Sequence, residues 1–323
     1  MIINPLERFS KQDLANKGYK LAFLDVSLLD PVFLNSQSIQ CLKQKNIILV
    51  VNGLVIMELL KGLYGLKHQE YQKLAEKKIL LANFLDEAEC LYLLPRDNIL
   101  TYELLYMYKG YSVNAHDFFK VFCYSPLLTQ VDSNKTSTSL RDGYPCDRLT
   151  KFSYKLLTQT STFKEYFNYS LHNLKEVASI LEEGKNENYK AIGFSKKILE
   201  GKDLKANHMK DIDKLLLEKL FLGHTEINSE QMSNLISNLS QKRDTYLSEA
   251  PLYSLEDIGY RINIQNHSSK EKKPGNDFMD SMHAASALSY CDYLLMNDNR
   301  AKTKWDTVIN KFNLRVIIKK TLD

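Results

Sequence analysis

Five acidic residues stand where they could hold a hard cation: Asp25, Glu58, Asp277, Asp280 and Asp298. Asp25 directly follows the apolar run Leu21-Ala-Phe-Leu24, and Asp298 follows Tyr293-Leu-Leu-Met296 after a single Asn. Acids at the carboxyl ends of buried strands are where open α/β sheets build active sites. A carboxylate there is desolvated on one side and must be paired, hydrogen-bonded or bound to a metal. Asp277 and Asp280 lie three apart, so they share one face of the helix that opens near Pro274. Glu58 is the single acid in the apolar helical segment Val55-Ile-Met-Glu-Leu-Leu-Lys61. Four carboxylates gathered in low dielectric repel strongly. Divalent cations with oxygen ligands remove that penalty, and carboxylates with retained waters suit Mg²⁺ or Mn²⁺. One or two such ions activate water and stabilise the leaving oxygen of a phosphodiester. The expected chemistry is metal-assisted phosphodiester hydrolysis.

Each acid also has a plainer reading. Asp25 or Ser27 could cap the next helix, and Asp298 could be a turn residue before Asn299. Glu58 could pair with Lys61 one turn on. Asp277 fits an N-cap or a first-turn acid favoured by the helix dipole. Asp280 sits one turn deeper and is harder to explain as a cap. His283 shares its side of the helix with Ala284 and Ala287. No His-x-x-x-His pair accompanies it, so it reads as support for the acids. Asp292 opens its strand, at the opposite end from Asp298, and reads as structural.

Five apolar runs have to position these acids, at 21–26, 47–51, 90–94, 293–296 and 314–318. They are nearly continuous instead of alternating, the pattern of a parallel sheet covered on both faces. Helical patterns fall between them at 37–45, 55–63, 71–89, 99–109 and 278–290. Strands alternating with helices predict an α/β, doubly wound parallel sheet. The third and fourth strands are nearly 200 residues apart. Most of that gap reads as helical, at 163–183, 198–222 and 229–247, with no strand series. The expected organisation is a core formed by 18–110 and 271–320, interrupted by an α-helical inserted domain over 111–270. Residues 112–270 carry 21 Lys+Arg against 20 Asp+Glu, so this segment is nearly neutral.

With 323 residues and 44% hydrophobic content, the chain can build a sizeable core. A net charge of +4 does not by itself announce nucleic acid. Cys41, Cys90, Cys123, Cys146 and Cys291 are scattered without a Cys-x-x-Cys pair, which predicts reduced thiols and a cytoplasmic location. No apolar run reaches the length of a membrane span, and the amino terminus lacks a signal-peptide layout.

Four blocks, Leu24-Asp25-Val-Ser27, Ile56-Met-Glu58-Leu-Leu-Lys-Gly62, Asp280-Ser-Met-His-Ala-Ala285 and Asp292-Tyr-Leu-Leu-Met-Asn-Asp298, resemble the PIN-domain nucleases in the same order. The Asp-x-x-His-Ala-Ala helix is similar to that of bacterial PIN toxins of toxin–antitoxin modules. The resemblance covers 18–110 and 271–320; Val26 and Met296 depart from it, and small PIN toxins lack the insertion. It implies a three-layer Rossmann-like PIN core and an acidic tetrad of Asp25, Glu58, Asp280 and Asp298. That tetrad would be catalytic and would bind Mg²⁺ or Mn²⁺, with Asp277 as an auxiliary ligand. It further implies an Mg/Mn-dependent endoribonuclease acting on RNA, in a toxin or defence role, and a core that often dimerises. Two rival readings are a DNA-acting nuclease of the same core and a non-catalytic PIN-like module. The near-neutral insertion fits an antitoxin or other protein partner better than a nucleic-acid clamp. Lys61, Lys67, Arg96, Arg300, Lys302 and Lys304 could neutralise phosphates. The tyrosines at 102, 106, 108 and 111 fit packing against the insertion better than base stacking.

Overall fold

The computed structural model describes residues 8–94, 96–108, 119–124, 162–182, 247–266 and 274–321, with a few positions between 230 and 237. Its centre is a seven-stranded sheet in the order β1-β5-β4-β3-β2-β6-β7. The strands are β1 (Arg8–Phe9), β2 (Lys20–Leu24), β3 (Ile47–Val51), β4 (Leu91–Leu93), β5 (Phe122–Cys123), β6 (Tyr293–Leu295) and β7 (Ile317–Lys319). The five from β4 to β7 along that order run parallel. β5 pairs antiparallel to β4, and β1 antiparallel to β5. Leu21–Leu24, Ile48–Val51 and Leu91–Leu93 are buried residue after residue, as strands covered on both faces must be.

The helices are α1 (Lys11–Asn16), α2 (Ser36–Gln44), α3 (Gly53–Lys61), α4 (His68–Glu87), α5 (Arg96–Tyr108), α6 (Phe163–His172), α7 (Pro251–Asn266), α8 (Pro274–Tyr290) and α9 (Asn299–Phe312). A further helical run covers 174–182. From β2 the chain steps outward to β3 and β4; it later returns to β6 and steps the other way to β7. The right-handed rule for such crossovers sends α2–α4 and α9 to opposite faces. α8 packs on β6 and touches α9, α7 lies against α8, and α5 lies against α7. α6 packs on α3 and α4. This is an α/β fold, and its strand order reverses between β2 and β6. In such sheets the carboxyl ends flanking the reversal open a crevice, because the crossovers leave them in opposite directions.

Local chemistry sets where the helices start. Asn52 follows β3 at once, and its side chain accepts from the Val55 amide at 3.0 Å, capping α3. Gly53 must be glycine there, since a Cβ would sit 2.5 Å from the Tyr92 hydroxyl and 2.9 Å from that of Tyr166. Asp86 caps α6 from a distant part of the chain, accepting from the Phe163 and Lys164 amides at 2.8 and 3.1 Å.

All five expected strands are present within a few residues of their expected bounds. Two others, β1 and β5, were not expected; β5 lies in the stretch read as helical. Phe163, Tyr166 and Phe167 of α6 and Leu252 and Leu255 of α7 join the same hydrophobic cluster as the strands. The described parts of 111–270 therefore pack into the sheet's own core. Both boundaries of the expected insertion, the helix expected at 198–222 and most of that at 229–247 lie outside the described residues. Among the described residues no helix is long and apolar enough to cross a membrane. Cys41, Cys90, Cys123 and Cys291 are free thiols, the last three buried; Cys146 lies outside the described residues.

Candidate active site

Asp25 is the first residue past β2, and its amide donates to the Leu295 carbonyl of β6 at 3.0 Å. That bond closes the β2–β6 ladder at the reversal point. Its carboxylate is held on both sides. Oδ2 accepts from the Ser27 amide at 3.0 Å and the Ser27 hydroxyl at 2.6 Å. Oδ1 faces Nδ1 of His283 at 3.4 Å. Burial by itself would raise this carboxyl, but His283 and then Ser27 outweigh it and hold it below the usual carboxylate value. The capping expectation also holds, since Asp25 caps a short 3₁₀ turn at Val26–Leu28.

Ser27 does a second job. Its Oγ accepts from the Asn297 amide at 3.0 Å, tying the segment after β6 to the segment after β2. One hydroxyl thus fixes the approach of the chain to both Asp25 and Asp298. The Asp25-x-Ser27 spacing allows this, because a short polar side chain two residues on can fold back on the carboxylate.

Glu58 lies about a turn and a half into α3, carried there by the Asn52 cap. It does not pair with Lys61, whose ammonium bonds Glu182 at 2.9 Å. Glu58 Oε2 instead faces Nε2 of His283 at 3.7 Å. That nitrogen is buried and has no hydrogen-bond partner. His283 therefore sits between Asp25 and Glu58, with 2% of its side chain exposed.

Asp280 is one turn before His283 on α8 and half-buried. Ala284, Ala285 and Ala287 beyond it are buried, and this small-residue stripe lets α8 lie on β6. Burial pushes the Asp280 carboxyl up to about 6; His283 opposes that, while Asp25, Glu58 and Asp298 each add to it. The other three acids thus act on Asp280 through space. Asp298 is exposed and caps α9, with Oδ1 accepting from the Arg300 and Ala301 amides at 2.8 and 2.9 Å. Asp277 lies in the first turn of α8, and its side chain is outside the described residues. Asp292 is structural, as expected: at the other end of the sheet it accepts from the Leu21 amide at 2.8 Å and pairs with Lys11 at 2.9 Å.

The donor chemistry suits a divalent cation. The Asp280 anion is destabilised chiefly by burial and further by the charges of Asp25, Glu58 and Asp298. Among the described residues, no group of three or more His, Cys, Asp or Glu side chains is close enough as it stands to hold an ion. The cations fit the phosphate expectation less well. Besides Lys61, Arg96 forks onto Glu256 at 2.5–2.9 Å. Lys302 pairs with Asp306 at 3.2 Å, and Lys304 donates to Ser281 at 2.7 Å. Lys67 and Arg300 are exposed. Tyr102 receives Arg8 at 3.4 Å, and the other three tyrosine side chains lie outside the described residues.

One acid went unnoticed in the sequence. Glu103 of α5 is fully buried. It accepts from the Leu252 and Tyr253 amides at the start of α7, both at 3.0 Å, and from the Tyr290 hydroxyl at 2.6 Å. Burial pushes its carboxyl up to about 8 despite these donors. It links α5, α7 and the end of α8, and only its position inside an apolar helix hinted at burial. No family model, curated protein or solved structure matches this chain.

Proposed function

We propose that this chain is a metal-dependent endoribonuclease that hydrolyses RNA phosphodiester bonds at the carboxyl edge of its sheet. The observation that supports the reading is that Asp25 and Asp298 follow the neighbouring strands β2 and β6, that His283 faces both Asp25 and Glu58, and that Asp25, Glu58 and Asp298 all act on Asp280. These four acids would hold Mg²⁺ or Mn²⁺, with Asp277 as an auxiliary ligand. A bound divalent cation would polarise the phosphodiester and make water a nucleophile near neutral pH. The chain's own residues supply the rest. Ser27 and His283 orient Asp25 and keep it ionised. Asp298 spends its Oδ1 on the α9 amides. Asp280, pushed up to about 6, is half-protonated near that pH, and a bound cation would favour its ionised form. His283 is too buried to touch substrate and acts by positioning Asp25 and Glu58.

Cleavage of labelled single-stranded RNA by the purified chain, with and without Mn²⁺ or Mg²⁺, tests the reading. Ion-dependent cleavage, abolished by EDTA and by Asp280→Asn in a folded variant, is the expected result. Full activity in that variant sinks the assignment. Single-stranded and duplex DNA in the same assay decide between nucleic acids. Calorimetry showing no Mn²⁺ binding would favour a non-catalytic module. A toxin or defence role, cytoplasmic location, a homodimer and an antitoxin or other protein partner belong to the same proposal, and a small DNA-binding protein encoded next door would support the toxin form.

A further inference from the structure

We propose that a cleft between β1, α1 and Lys120, away from the acidic edge, is a binding site for a phosphate-bearing anion. The cleft measures about 300 Å³ and is lined by Arg8, Phe9, Asp13, Asn16, Lys17 and Lys120. That is the space of about ten waters, enough for a diphosphate with part of its hydration shell. Lys17 stands just before β2, and Asp25 just after it. Five residues of strand, roughly 16 Å, separate the two levels.

The lining offers donors almost exclusively. Arg8, Lys17 and Lys120 bring three positive charges. Asn16 uses its oxygen to accept from Gln12 at 2.7 Å, leaving its amide NH₂ as a donor. Among the described lining residues the one carboxylate is Asp13, which accepts from the Ser10 amide at 2.8 Å as half of a capping box. That bond chiefly, helped by Lys120 and Lys17, holds Asp13 below the usual carboxylate value. Lys17 lies 4.7 Å from the centre of the Phe9 ring, which forms the apolar wall. Among the described residues neither Lys17 nor Lys120 makes a side-chain hydrogen bond or ion pair. Asp13 offsets part of the positive charge of Lys17 and Lys120, and a multiply charged anion would offset the remainder. Phosphate oxygens match this donor set, with the two lysines as point charges and Arg8, which donates to Tyr102, adding its positive charge. The same chemistry could come from a nucleic-acid strand or from a free nucleotide.

Calorimetric titration of the full chain in EDTA, which removes cations from the acidic edge, makes the test independent of the nuclease reading. The probes are inorganic pyrophosphate, a nucleoside diphosphate and a short single-stranded oligonucleotide. Saturable binding that weakens with salt is expected. Lys17→Glu and Lys120→Glu should each weaken it about tenfold or more, since each reverses a charge facing the anion. Lys73→Glu, an equal charge change at an exposed position on α4, should leave it unchanged. Tighter binding of the oligonucleotide assigns the cleft to a strand, and tighter binding of the diphosphate to a nucleotide. Circular dichroism should show both lysine variants folded, because both lysines are exposed. Equal binding by the cleft variants, an equal loss in Lys73→Glu, or no saturable binding of any probe overturns the proposal.

Discussion

Removing the Asp280 charge should make the ion-free protein more stable. Asp280 titrates near 6 in the folded chain instead of near 3.8, because it is partly buried among three other carboxylates. The folded state therefore prefers the protonated acid. The cost of ionising it is absent below pH 3.8, grows as pH rises through 6, and is complete above about pH 7. A displacement of about 2 units at about 1.4 kcal/mol each sets a ceiling of ~3 kcal/mol. Asp280 still meets solvent, which screens the repulsion and brings the expected gain to about 1–2 kcal/mol. Asp280→Asn keeps the shape and removes the charge. In EDTA at pH 8 it should melt about 2–6 °C higher than wild type. At pH 4 the two should melt together. Saturating Mn²⁺ should reverse the order, because an ion at 100 times its Kd adds about 2.7 kcal/mol to wild type and much less to the variant. A variant less stable than wild type at pH 8 in EDTA, or an offset equal at pH 4 and pH 8, would refute the idea that the acids repel.

Other substitutions probe the supports of the site. Ser27→Ala removes the hydroxyl that serves both Asp25 and the Asn297 amide, and should cost ~1–3 kcal/mol in urea unfolding at pH 7. Because Asp25 is held below 3.8, the Asp25 share of that gap should start to shrink as pH falls through about 4, while the Asn297 share stays; a gap that is identical at pH 7 and pH 2 argues against the linkage. Glu103→Ala strands two amides and the Tyr290 hydroxyl in the core, and should cost about 3 kcal/mol. Glu103 itself favours its protonated form, so its contribution is full below 4.5 and fades as pH rises through 8. Glu103→Gln should therefore flatten the loss of stability between pH 5 and 9, and an unchanged slope in urea unfolding would count against that account.

The parallel strands were readable because a strand covered on both faces must be apolar at consecutive positions, and that pattern is local. Asp25 and Asp298 were readable for the same reason, as the first acids past such runs. β1 and β5 were not: two residues carry no period, and Phe122–Cys123 become a strand by pairing with Leu93 and Tyr92 of β4 and with Phe9 and Arg8 of β1. Lys61 could not be matched to Glu182, nor Arg96 to Glu256, because those partners are more than a hundred residues away. Glu103 resembles any helix acid until α7 and α8 close over it.

By itself, then, the sequence determined which residues are acids, which elements carry them, and that an α/β sheet would present them at one edge. The tertiary structure decided who faces whom. It set β6 beside β2, so that Ser27 joins the two strand ends, and laid α8 on the sheet, so that His283 lies between Asp25 and Glu58. Hydrophobic periodicity is written within a few residues, whereas strand order and charge pairing come from contacts between distant segments that leave no local mark.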